Sequence, residues 1–174
     1  MRRLALFICL LAAVPVFAQK EKREPLTAAQ IDALRDATVY PDARLHLYNR
    51  FLDEHAAAIK ALIPRAHSAA RARQIDDELQ DFTSLLDEAN DNLDVYIERR
   101  SDVRKALKPL TESVTDWQKV LDALPSEPAF ELARKEALAS LHDLSDQATT
   151  ALRDQTEYFK IHKEERNQER AEPK

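Results

Sequence analysis

The chain has 174 residues, 44% of them hydrophobic and 33% charged, with 26 bases against 31 acids, five histidines, one cysteine and no glycine. The missing glycine excludes a phosphate-cradling P-loop, a dinucleotide fingerprint and a glycine-containing calcium loop, and the net charge of −5 repels nucleic acid and anionic lipid. Ala, Leu, Glu, Asp, Lys, Arg and Gln dominate instead, and most of these lose little side-chain entropy in a helix, so an all-α fold is expected.

Arg2 and Arg3 precede an apolar run from Leu4 to Val14, followed by Pro15 and "VFA", with Val16 and Ala18 at the positions a signal peptidase reads. Residues 1–18 therefore read as a signal peptide cleaved after Ala18, and the protein as periplasmic or secreted. The run is shorter than the ~20 residues that span a bilayer, so no membrane insertion is expected after cleavage. Cys9 lies inside the leader, and bulky Ile8 before it does not suit lipoprotein processing. The expected mature chain has no disulfide, thiol nucleophile or cysteine-ligated metal. Without Arg2 and Arg3 it holds 24 bases against 31 acids, a formal charge of −7, over about 156 residues, a single-domain length.

Residues 19–26 are charged, carry Pro25 and read as a flexible linker; the domain proper is expected over 27–163. In "LTAAQ", Thr27 can cap the following amides while Gln30 reaches back, and Leu26 can pack on Ile31, which predicts a short helix over Thr27 to Thr38 that "VYPD" ends. A second helix is expected from Asp42 to Leu62 on the stripe Leu45, Tyr48, Leu52, His55, Ile59, Leu62, Ala66, with Pro64 interrupting it and Ser68 capping the next.

From Ile75 to Leu124 the apolar residues alternate steps of four and three through seven heptads, with Arg100 as the one polar intruder. The register runs through Pro109, so residues 68–124 read as one long helix kinked or broken near Pro109, or as two helices meeting end to end. The seam predicts a buried Trp117. "PSEP" gives the next reversal, with Ser126 as cap and Pro128 in the first turn, and a last helix runs to about Lys163. Residues 164–174 form a charged tail expected to fray. The sum is an elongated antiparallel bundle of about three long helices plus a short N-terminal one.

Three pairs, Asp42/His46, His142/Asp146 and His162/Glu165, have one-face helical spacings but lack the paired Glu-x-x-His motifs of di-metal bundles, so they read as solvated surface. His55 sits in an apolar stripe and reads as a hydrogen-bonded core histidine. "DEANDNLD" (87–94) lacks the glycine and terminal glutamate of a calcium loop. No metal or cofactor is expected. Without a nucleophile elbow, a paired-carboxylate pocket or a cysteine nucleophile, the chain is not expected to be an enzyme.

Charge is more distinctive. Nine acids fall between Asp76 and Glu98 with no base between Arg73 and Arg99, and Lys60, Arg65, Arg71 and Arg73 precede them with no acid after Glu54. Arg65, Arg71, Arg73, Asp87, Glu88, Asp91 and Asp94 are the candidate partner-binding residues: the basic reversal would take an anionic ligand and the acidic face a basic partner. The expected function is a non-catalytic interaction or scaffold protein of the cell envelope, docking another envelope protein or a copy of itself.

The residues Leu26, Thr27 and Gln30 also resemble the LTxxQ motif of small periplasmic helical stress proteins of the Spy and CpxP type, at a comparable place after the leader. That resemblance implies bent helices that dimerise into a cradle for unfolded clients, and a holding chaperone as the alternative function. It covers five residues; the nearest second copy, "LTESV" (110–114), lacks the glutamine, and Met1 is the only methionine. Exposed apolar area separates the two readings, since a chaperone needs a client-accessible apolar surface and a scaffold buries its seams.

Overall fold

The computed structural model describes residues 24–166; the expected leader and cleavage site, Cys9 and most of the expected linker and tail lie outside these. The described chain is helical: α1 (Ala28–Asp36), α2 (Pro41–Leu62), α3 (Ala69–Glu98), α4 (Arg104–Asp122) and α5 (Glu131–Ile161), followed by a 3-10 turn at Lys163–Glu165.

The helix starts follow local chemistry. Gln30 N–H donates to Thr27 Oγ1 (3.3 Å) and Thr27 N–H to Gln30 Oε1 (2.8 Å), the reciprocal capping box. Leu26 is buried and Ile31 packs against the same core. Pro41 occupies the first turn of α2, where its missing amide costs nothing, and Ser68 caps α3 through the Arg71 amide. α4 has no side-chain cap of its own residue; Asp42 of α2 accepts from the Ala106 amide (2.9 Å) instead.

Among the described residues there are four long helices rather than three. The 68–124 segment breaks at 99–103, not at Pro109, which lies inside α4. Pro109 falls in the second turn of α4, so it removes a single intrahelical bond and the helix continues. The break is a Schellman turn: Ser101 N–H donates to Tyr96 O (2.9 Å), Arg100 N–H to Ile97 O (3.0 Å), and Arg100 takes φ 55°. The lone polar residue on the heptad seam thus marks where the chain leaves the helix. Ser126 does not cap α5, which begins at Glu131 after a turn through 128–130.

α2 packs on α3 and α4, and α5 packs on the same two helices, while α3 and α4 lie diagonally opposed and meet through long side chains across the core. Tyr48–Glu88 and His55–Glu78 pair in opposite directions along the chain, so α2 and α3 form an antiparallel hairpin. Bonds from Ala106 to Asp42 and from Trp117 to Asp53 keep a constant separation of 64 residues, so α2 and α4 run parallel. Two hairpins, α2–α3 and α4–α5, therefore lie side by side.

The core runs the length of this bundle. Trp117 is 2% exposed and meets the Phe82 ring edge-on at 5.9 Å between centroids. α2 buries Phe51 and Ala56 in addition to its expected stripe, because each helix of a four-helix bundle faces two neighbours and so needs a wider apolar face. Ala66 lies past the helix end and is exposed.

Candidate binding groove

Successive residues of an α-helix turn by about 100°, so the acids of α3 cannot share one face, and the structure distributes them. Asp87, Asp91 and Glu98 point to solvent. Glu88 faces α2, accepting the Tyr48 hydroxyl proton (2.7 Å) with Arg44 3.9 Å away. Glu78 faces α2 beside His55 (2.9 Å), and Asp81 is buried. Asp94 turns the other way and accepts from Gln147 of α5.

The basic residues separate too. Arg65 and Arg73 are exposed, but the Arg71 side chain is 3% exposed: its Nε donates to Leu62 O (2.9 Å), Nη2 to Ile63 O (3.3 Å) and Nη1 to Glu127 (2.8 Å). It ties the end of α2 to the α4–α5 connection. Arg71 is therefore turned into the bundle, and the reversal offers Arg65 and Arg73 alone of the three.

Asp94 lies on the rim of a groove of about 550 Å³ between α3 and α5. Ile97, Ala151 and Phe159 provide an apolar floor, and Asp94, Asp146 and Asp154 stand around it. Arg100 closes one end, its guanidinium 5.5 Å from the Tyr158 ring centre. Tyr158 is itself held by donating to Glu165 (2.8 Å) and by stacking on His162 (4.1 Å). Asp146 lies 3.5 Å from His142 and Asp154 2.8 Å from Arg153, both at exposed positions. Exposed pairs of this kind contribute about 0–1 kcal/mol, so a cationic ligand can compete for either carboxylate.

A second depression at the same end of the bundle is basic, lined by Arg104, Lys105, Lys108 and Arg166 with Asp102. The Asp102 carboxylate accepts two bonds from Arg104 (2.8 Å each), which hold the guanidinium above its ordinary pKa range. Arg104 also lies over the Phe159 ring at 4.7 Å.

Of the seven candidate residues, Asp94 alone lines the groove. Asp146, Asp154, Tyr158 and Phe159 were not among them. Their partnership with Asp94 depends on α3 and α5 running side by side, which spacing within either helix does not reveal. Among the described residues no helix is long and apolar enough to cross a membrane. The chain matches no protein-family model, no curated protein and no solved structure.

Proposed function

We propose that the protein is a non-catalytic binding module of the cell envelope, periplasmic or secreted, which docks a basic, partly apolar segment of another protein in the α3–α5 groove. The observation that carries this is the groove itself: three carboxylates from two helices around a floor of Ile97, Ala151 and Phe159. A lysine or arginine next to an apolar side chain satisfies both parts at once. The carboxylates steer encounter and select charge, and the floor supplies the burial that gives affinity. The apolar leader supports the envelope location. The basic depression nearby makes a second copy a partner of suitable charge.

The chaperone alternative has less support. The large exposed hydrophobics among the described residues are Val39, Tyr40, Val95, Leu132 and Ile161. They sit in the α1–α2 turn, on α3 and at the two ends of α5, so they do not line one concave surface.

A labelled peptide of alternating lysine and leucine, titrated and followed by fluorescence anisotropy, tests the proposal. The Asp94→Asn, Asp146→Asn, Asp154→Asn triple variant should bind at least about tenfold more weakly, since three partly exposed pairs at about 0.5 kcal/mol each sum to that factor. Wild-type binding should weaken as the Debye length shrinks from ~10 Å at 0.1 M salt to ~3 Å at 1 M. Equal binding by both proteins, or indifference to salt, removes the groove from the function. Suppression of client aggregation by both proteins favours the chaperone.

A further inference from the structure

We propose that His55, Glu78 and Asp81 form a divalent-cation site between α2 and α3, of a donor type that suits Zn²⁺. One ligand atom from each of the three side chains can be chosen so that all lie within 4.8 Å of one another. The groups are sheltered: the His55 and Glu78 side chains are 14% and 24% exposed, and Asp81 is 5% exposed. Glu78 and Asp81 stand three residues apart on one face of α3, and His55 meets them from the antiparallel α2.

The orientation of the imidazole points to a cation. His55 Nε2 lies 3.1 Å from the Pro25 carbonyl oxygen, which can only accept, so Nε2 carries a hydrogen. In the neutral ring the Nδ1 lone pair then faces Glu78 Oε2 at 2.9 Å. Two electron-rich atoms this close need a positive centre between or beside them, a proton or a metal. A backbone carbonyl that fixes the far nitrogen is the usual outer partner of a metal-bound histidine.

The geometry is within reach of an ion. Ligand atoms around a tetrahedral zinc with bonds of ~2.0–2.2 Å stand roughly 3.3 Å apart, so His55 and Glu78 would part by a few tenths of an ångström and Asp81 would close in. One imidazole with two carboxylates suits Zn²⁺ better than the all-oxygen sets of Ca²⁺ and Mg²⁺. A fourth position is left to water. The same histidine holds the segment before α1, and the Gln30–Glu54 bond (2.8 Å) fastens α1 itself to α2, so a bound ion would couple the N-terminal arm to the bundle.

The test is Zn²⁺ competition against a chromogenic chelator on the full chain after chelator stripping. The expected result is one equivalent bound, at least tenfold weaker in His55→Gln, Glu78→Gln and Asp81→Asn, and unchanged in His142→Ala, which removes the exposed His142/Asp146 pair. Zn²⁺ should raise the melting temperature of the wild type and not that of the three variants. The ¹⁵N imidazole spectrum of the wild type gives a readout that needs no variant: Zn²⁺ should shift Nδ1 of His55 and leave its Nε2 protonated. Affinity equal to wild type in natively helical His55→Gln and Glu78→Gln, or a His55 imidazole that does not respond to Zn²⁺, overturns the site and leaves a proton as the bridging centre.

Discussion

At the scale of single residues, the buried polar side chains of α2 do more than fill space. Tyr48 is fully buried, donates to Glu88, and accepts from Asn92 (3.2 Å) and Arg44 (3.2 Å). Burial pushes its phenol well above the ordinary tyrosine pKa of about 10, and the bond to Glu88 adds to this while Arg44 opposes it. Burial raises Tyr96 as well. Above pH 10 the unfolded chain releases these protons while the folded chain keeps them, so the unfolded state binds fewer protons and stability falls as pH rises. Denaturant melts should therefore show stability declining as pH rises above 10. In Tyr48→Phe the decline should be shallower by up to about 1.4 kcal/mol per pH unit between pH 10 and 12. An unchanged slope would mean that Tyr48 ionises as readily folded as unfolded.

At the scale of elements, the break between α3 and α4 rests on a residue in an unfavourable conformation. Arg100 is the one positive-φ residue among the described residues, and in a chain without glycine the left-handed position of a Schellman turn falls to a side-chain-bearing residue. Its cost is of order 1–2 kcal/mol. The contact of its guanidinium with Tyr158 offsets part of this. Arg100→Gly should consequently fall within about 1 kcal/mol of wild type, because relief of the strained backbone compensates for the lost contact and the looser unfolded chain. Arg100→Val should destabilise by at least about 1–2 kcal/mol, since a β-branched side chain suits that region least. Thermal melts of the two variants check the order, and a valine variant as stable as the glycine one would refute it.

At the scale of the whole molecule, one buried polar side chain fastens each end of the bundle. Arg71 joins the α2 terminus to Glu127, and at the other end Gln155 of α5 donates to Ser101 O (2.9 Å) and accepts from the Val103 amide (3.1 Å). Both tie backbone groups of a helix end or connection to another element, and Gln155 bonds both the Ser101 carbonyl and the Val103 amide. Arg71→Ala should cost about 1–3 kcal/mol, the range for taking the donor from buried acceptors, since the partly exposed Glu127 keeps His67 beside it. Arg71→Lys should recover only part, because an ammonium lacks the fork that reaches two carbonyls and a carboxylate together. Chemical denaturation measures both; a loss below 1 kcal/mol for alanine would show that the arginine is replaceable there.

Much of this was written locally. The capping box at Thr27, the Ser68 cap and the burial of Ile75, Leu79, Phe82, Leu107, Leu110 and Trp117 all follow from residues within a few positions of one another, because caps and heptad seams are short-range properties of one helix. The seam could not reveal its own interruption. Both α3 and α4 face the same core, so the apolar spacing resumes in phase after Arg99–Val103, and Arg100 was the single mark of the turn. The pairing of helices was decided only in three dimensions. Neighbouring axes lie about 8–10 Å apart, so the diagonal of the bundle is roughly 11–14 Å, and five extended residues reach up to about 17 Å. The short connection can thus cross the bundle and place α5 beside α3. That placement, and no spacing within either helix, brings Asp146 and Asp154 to Asp94, just as the α2–α3 hairpin brings Glu78 and Asp81 to His55.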